Sequence, residues 1–386
     1  MRFFHLSDLH IGKQLHSYQL IEDQQYILKK ITDKLFEYKP DAMLISGDIF
    51  DRSMPSGEAF ELFDQFLLDI TKTAVPVFII AGNHDSPKRL AYASSFLEQH
   101  NIYISTMPPR NQKEYLKKIT LTDFWGPVHF YLLPFTKPSY IRHLFPEDTV
   151  TDYDSGIEAL LGREAIDYSQ RNVLLSHQFY QAADWETKTC DSEQIIISVG
   201  GTDRVDAALL KDFDYAALGH LHGPQRVKFP GIRYCGSPLK YSVSEEHQKK
   251  SITLVTLEEK GTPVLIEEIP LFPLLDVKTQ KGTLEEIIKR AKENPTLDYV
   301  RVILTDESEP VRPKEKLAMV FDHLLEYRIE NQRTRSSMTE QELLLDQLTP
   351  LEAFGAFYEE IHKVPLTQVQ KEKLGSLMTD MEEVES

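Results

Sequence analysis

Short apolar runs alternate with amphipathic stretches through the first hundred residues. Arg2-Phe3-Phe4-His5-Leu6 reads as a buried strand, as do Asp41-Ala42-Met43-Leu44-Ile45-Ser46 and residues 75–80. Between the first two runs, Ile21, Ile27, Leu28, Ile31 and Leu35 fall at helical spacing over 20–38, and a second helix fits 56–72. Pro87 suits the first turn of a third helix over 87–98. Strand, helix, strand, helix at this pitch predicts an α/β core with parallel strands.

Residues 101–135 read as short strands around the proline-rich loop Met107-Pro108-Pro109. Residues 157–168 suit a helix and 173–176 and 214–218 suit buried strands; strands near 225–228, 232–236, 251–257 and 263–269 complete a first domain, 1–270. Residues 182–202 lack periodicity and read as loop. Past the prolines at 270 and 273, a β-α-β-α pattern (275–279, 284–293, 299–305, 314–325) predicts a small second domain, 271–335. A polar stretch, 331–339, leads to a helical tail, 340–386. Leu343, Leu344, Leu345 and Leu348 form one apolar face there, and Leu351, Phe354, Tyr358 and Ile361 another. Such faces dock a partner or fold back on their own domain.

The chemistry gathers where the apolar runs end. Asp8 and His10 follow the first run, Asp48 the second, Asn83 and His84 the third; His177 and then His220 and His222 close two later ones. Open α/β sheets place their sites at the carboxyl ends of strands, so these five loops can converge. Each piece alone has a plain reading. A lone His is usually a hydrogen-bonded core residue, and Gly82-Asn83 suits an ordinary turn. Five strand ends that all carry ligand types are a different matter. Mixed Asp, His and Asn donors suit Mn, Fe or Zn better than Ca or Mg. The set suffices for two ions if one carboxylate bridges them, an arrangement suited to clamping a phosphate.

The charge complicates that picture. The formal net charge is −17, which disfavours a phosphate-backbone partner unless bound cations offset it. Residues 341–386 hold ten acidic residues against three lysines, a net of −7. Two cysteines, Cys190 and Cys235, make no disulfide framework. No apolar run is long enough for a membrane span and no leader segment is evident, so a cytoplasmic protein without membrane contact is expected.

Asp8-x-His10, Gly47-Asp48, Gly82-Asn83-His84-Asp85, His177 and Gly219-His220-x-His222 resemble the motif series of the calcineurin-like metallophosphoesterases. Within that superfamily three stretches resemble the bacterial SbcD-type nuclease subunits. They are Gly47-Asp48-Ile49-Phe50-Asp51; Tyr234-Cys235-Gly236-Ser237-Pro238 with Ser242-Val243-Ser244-Glu245; and Leu348-Thr349-Pro350-Leu351-Glu352-Ala353-Phe354. The resemblance covers residues 1–270 closely and the domain order throughout.

The resemblance implies an α/β/β/α sandwich of two mixed sheets, with a small α+β capping domain and a helical C-terminal tail. It implies two divalent ions, Mn2+. Asp8, His10, Asp48 and His222 would hold one, and Asp48, Asn83, His177 and His220 the other. His84 would act on the leaving oxygen, with Asp85 orienting it. Asp51 stands where some relatives carry a His. Lys13, Arg52, Lys88 and Arg89 follow ligand motifs and are the candidates for DNA phosphates. The implied activity is DNA hydrolysis, as a double-strand exonuclease and a single-strand or hairpin endonuclease in repair, recombination and replication. The implied partners are an SbcC-like SMC-type ATPase and a second copy, with Leu62, Phe63, Phe66, Ala91, Phe96 and Leu97 as a homodimer face. The capping region and tail argue against a stand-alone phosphatase or cyclic-nucleotide phosphodiesterase. The complete ligand set argues against a scaffold with a vestigial site.

Overall fold

Strand Arg2–Leu6 buries Phe3 and His5 on one face and Phe4 and Leu6 on the other. A strand covered on both sides belongs inside a sheet whose faces are both packed. It pairs in parallel with Ala42–Ser46 and antiparallel with Ser251–Thr256. The computed structural model describes residues 1–193, 197–198, 201–308, 310–331, 354–355, 357–359, 364–371 and 373–374.

Two six-stranded sheets form the first of two compact units, residues 1–196 and 202–277. The first sheet runs Leu265–Pro270, Ser251–Thr256, Arg2–Leu6, Ala42–Ser46, Val77–Ile80, Ile102–Ser105. The second runs Gln225–Arg226, Ile232–Tyr234, Tyr215–Leu218, Arg171–Ser176, Gly126–Leu133, Lys117–Asp123. Each has four parallel strands with antiparallel partners at its margins.

The sheets face each other across one apolar layer. Phe3 and Phe78 of the first sheet meet Phe130 of the second with ring centroids 5.7 and 4.9 Å apart. Phe4, on the other face, packs against Tyr38 of helix Ile21–Tyr38. The outer face of the second sheet packs helix Tyr153–Arg163 through Ile157, Leu160 and Leu161. The layers are therefore helix, sheet, sheet, helix, and all five candidate loops leave the carboxyl ends of parallel strands.

Several element readings change, among them the helix expected over 157–168, which runs Tyr153–Arg163. The helix expected over 87–98 is two single turns, Pro87–Leu90 and Ser94–Leu97, because Ala93 takes φ 58° between them. The helix expected over 314–325 stops at Pro313–Ala318, and the chain turns into strand Leu324–Ile329. Of the expected dimer face, Phe63 and Phe66 lie on the buried side of helix Gly57–Thr71, whereas Phe96 is exposed.

The second unit comprises residues 197–201 and 278–386. Its three-stranded sheet, Val277–Gly282, Tyr299–Leu304, Leu324–Ile329, packs Val300, Val302 and Leu304 against Leu284 and Ile287 of helix Leu284–Glu293 and against Leu317 and Phe321. The tail face expected at Leu343, Leu344, Leu345 and Leu348 lies outside the described residues, as do Leu351 and Ile361 of the other face. No described helix is long and apolar enough to cross a membrane.

Candidate metal centre

The loops after the strands are forced into unusual backbone. Asp8, His10, Asp48 and His220 have φ of 52°, 42°, 50° and 102°, a region that non-glycine residues avoid. Cross-strand bonds hold them there: Asp8 N donates to Gly47 O at 3.0 Å, and His10 N to Asp48 O at 3.0 Å. Gly47, at φ 91°, and Gly219 let the strand ends approach. A Cβ on Gly47 would collide with the His177 ring, and one on Gly219 with the Ser46 carbonyl. Gln24, from helix Ile21–Tyr38, clamps the first loop by donating to His10 O at 2.7 Å and accepting from Gly12 N at 2.9 Å.

The side chains converge around Asp48. Its Oδ2 lies 3.3 Å from His177 Nε2, 3.5 Å from His10 Nε2 and 3.9 Å from His84 Nε2. Asn83 Oδ1 lies 3.1 Å from His177 Nε2 and 3.2 Å from His220 Nδ1. Asp8, His10 and His222 bring ligand atoms within 4.8 Å of one another, and His10 and His222 face Nε2 to Nε2 at 3.1 Å. All seven expected ligands thus meet, along with His84.

The donor set fits divalent ions. Two buried carboxylates face four buried imidazoles, and His220 Nε2, also buried, has no hydrogen-bond partner among the described residues. His177 Nδ1 donates to Ser46 O at 2.6 Å, which points Nε2 at the centre.

Burial dominates the electrostatics. It lowers His10 well below the usual histidine range and His220 to about 3, and it raises the Asp8 carboxyl. Burial alone would lower His177 too, but Asp48 beside it brings it up to about 9. Burial opposes charge on Asp48, and His177, His84 and His10 around it nevertheless hold it well below the carboxylate range.

Comparison with known proteins agrees. The calcineurin-like phosphoesterase family matches residues 1–224, and the family described as type 5 capsule protein repressor C-terminal domain matches residues 273–362. The SbcD subunit of the SbcCD nuclease of Staphylococcus epidermidis is 31% identical over 386 residues, 98% of either chain. This chain belongs to the SbcD family of calcineurin-like phosphoesterases. Two solved structures are more distant, a protein of Thermus thermophilus and a dimetal phosphatase of Danio rerio. Each is 11% identical over 69% of this chain and 98% of its own, at a TM-score of 0.38.

Around the SbcD-type centre some expected roles shift. Asp85 does not orient the His84 ring. His84 Nδ1 donates to Asp51 O at 2.7 Å, while the Asp85 carboxylate accepts from Gly82 N, Phe50 N and Ile49 N at 2.9, 3.0 and 3.1 Å. Asp85 therefore ties two ligand loops together. Lys13 already has a partner, because its Nζ lies 2.7 Å from Asp51 Oδ1. Arg52 is exposed on the loop after Asp51 and Lys88 on the helical turn Pro87–Leu90, and Arg89, exposed on the same turn, donates to Ser53 O at 2.9 Å.

Other residues at the site escaped the sequence reading. Ser192 Oγ lies 2.7 Å from His222 Nδ1, and Glu193 Oε1 accepts from His222 N at 2.6 Å. Both sit in the stretch that shows no periodicity. Glu245, whose Oε1 is 3.6 Å from His222 Nδ1, lies in a segment singled out for its resemblance but given no role.

Proposed function

We propose that this chain is the nuclease subunit of an SbcCD-type complex and hydrolyses DNA phosphodiesters with two Mn2+ ions. It acts as a double-strand exonuclease and a single-strand and hairpin endonuclease in DNA repair, recombination and replication. The observation that carries the reading is the meeting of seven ligand-type side chains from five strand ends around Asp48.

Asp8, His10 and His222 would hold one ion and Asn83, His177 and His220 the other, with Asp48 shared. When bound, the ions would supply Lewis acidity to the oxygens of a phosphodiester. His84 supplies the proton. Its Nδ1–H is committed to Asp51 O, so the proton it transfers to the leaving oxygen sits on Nε2, the atom that faces Asp48. Asp85 keeps the Asp48 and Asn83 loops in register through its three backbone bonds.

Arg52, Lys88 and Arg89 meet DNA phosphates, whereas Lys13 acts mainly by holding Asp51. An SbcC-like SMC-type ATPase docks on residues 340–386. A second copy covers exposed Phe96.

The test is direct. The purified chain with Mn2+ is offered labelled hairpin DNA, single-stranded DNA and a chromogenic phosphodiester, with and without the ATPase. Cleavage of both DNAs is expected, lost on chelation and reduced at least 100-fold by His84→Ala. Cleavage of the chromogenic compound alone in every condition would overturn the reading.

A further inference from the structure

His222 completes a ligand group whose other members, Asp8 and His10, lie more than two hundred residues away. Its carbonyl accepts from Ser237 N at 3.1 Å and Lys250 Nζ at 2.9 Å. The segment carrying Cys190, Asp191, Ser192 and Glu193 holds its backbone N–H and its ring. Asp191 N donates to Ser244 Oγ at 2.9 Å, and Cys190 N to Glu193 Oε2 at 2.9 Å. Glu193 Oε1, on the same carboxylate, takes the His222 backbone N–H at 2.6 Å.

The ring is held by a directed relay. Ser192 Oγ lies 2.7 Å from His222 Nδ1 and donates its own proton to Glu245 Oε1 at 2.6 Å. A hydroxyl with one proton that donates to a carboxylate accepts from the ring, so Nδ1 carries the histidine proton. Glu245 is anchored in turn: buried Lys250 lies 2.5 Å from its Oε2, and Tyr241 N donates to Oε1 at 3.0 Å. With Nδ1 protonated, the Nε2 lone pair faces His10.

We propose that Ser192, Glu193 and Glu245 are positioning residues that set the place and tautomer of His222 for a divalent cation at Nε2, an assignment that rests on the two-metal reading above. Cys190, His222 and Glu245 also bring ligand atoms within 4.8 Å of one another. Lys250 already supplies the cation there, and Ser192 already occupies Nδ1, so the cluster is a hydrogen-bonded support rather than a third metal site.

Calorimetric titration of the chelated full-length chain with MnCl2 tests this, with thermal melts to check folding. The wild-type chain takes up two equivalents. Ser192→Ala weakens one equivalent about 10–100-fold and leaves the other unchanged, and Ser192→Thr, which keeps the hydroxyl, restores it. Two wild-type affinities in Ser192→Ala would overturn the proposal, as would equal weakening in the alanine and threonine variants. A wild-type chain that binds no Mn2+ would overturn the two-metal reading itself.

Discussion

His5 stands three residues before the first ligand and takes no part in the ligand groups. It is fully buried between the sheets, with Nδ1 2.9 Å from Tyr215 Oη. Burial, and then the Arg233 charge, lower it to about 3 from an ordinary 6.5. The folded chain therefore prefers neutral His5 more strongly than the unfolded chain does. That contribution is complete above pH 6.5 and is lost as pH falls toward 3. At about 1.4 kcal/mol per unit, the drop from pH 6.5 to 5 costs about 2 kcal/mol. Denaturant titrations of the chelated protein at pH 7.5 and 5.0 should show that loss in the wild type and a smaller one in His5→Gln. Identical pH dependence in the two proteins would place the acid sensitivity elsewhere. Asp8, His10, Asp48 and His220 carry strain of a different kind, because their positive φ costs on the order of 1–3 kcal/mol each. Sequence pattern identifies these residues as ligand types but carries no signal for the backbone that aims them.

Among the elements, the buried parallel strands and the two long helices were legible because their periodicity is set by packing. Helix Ile21–Tyr38 buries Ile27, Leu28, Ile31 and Leu35, the residues whose spacing announced it. The failures have local causes. A single αL residue, Ala93, breaks a pattern that otherwise suits a helix. Strand Leu324–Ile329 follows its helix so closely that the apolar run reads as continuous. The segment behind His222 has no periodicity because hydrogen bonds hold it, not an apolar face.

Glycines separate site geometry from ordinary turns at the same scale. Gly219→Ala drives its Cβ into the Ser46 carbonyl, a backbone atom between the two sheets that cannot rotate away. We expect a loss of about 3 kcal/mol or more, together with weakened Mn2+ uptake. Gly162→Ala, near the end of helix Tyr153–Arg163 with open space around it, should instead gain up to about 1 kcal/mol and leave metal binding alone. Thermal melts with and without Mn2+ distinguish the two. A tolerated Gly219→Ala would mean that the strand ends are not as tightly apposed as Ser46 and His177 suggest.

For the whole molecule, a net charge of −17 must be reconciled with a polyanionic substrate. Asp8, Asp48, Asp51 and Asp85 cluster at or beside the centre, and the lysines packed there are already paired, Lys13 with Asp51 and Lys250, behind His222, with Glu245. Without bound cations that cluster repels a phosphate. Chelation should therefore abolish DNA binding as well as cleavage. With Mn2+ present, Arg52, Lys88 and Arg89 are the candidate exposed cations beside the centre among the described residues. Three phosphate contacts correspond to a log–log salt slope of about −3, shallow for a DNA-binding protein. Fluorescence anisotropy of labelled duplex with the His84→Gln chain, at about 50–200 mM NaCl, reads that slope. Arg52→Ala should lower its magnitude by about one and weaken binding evenly across DNA sequences, since a phosphate contact carries no base information. A slope of about −8, insensitive to Arg52→Ala, would show that the DNA path runs over other cations of the chain and would displace these three from the interface.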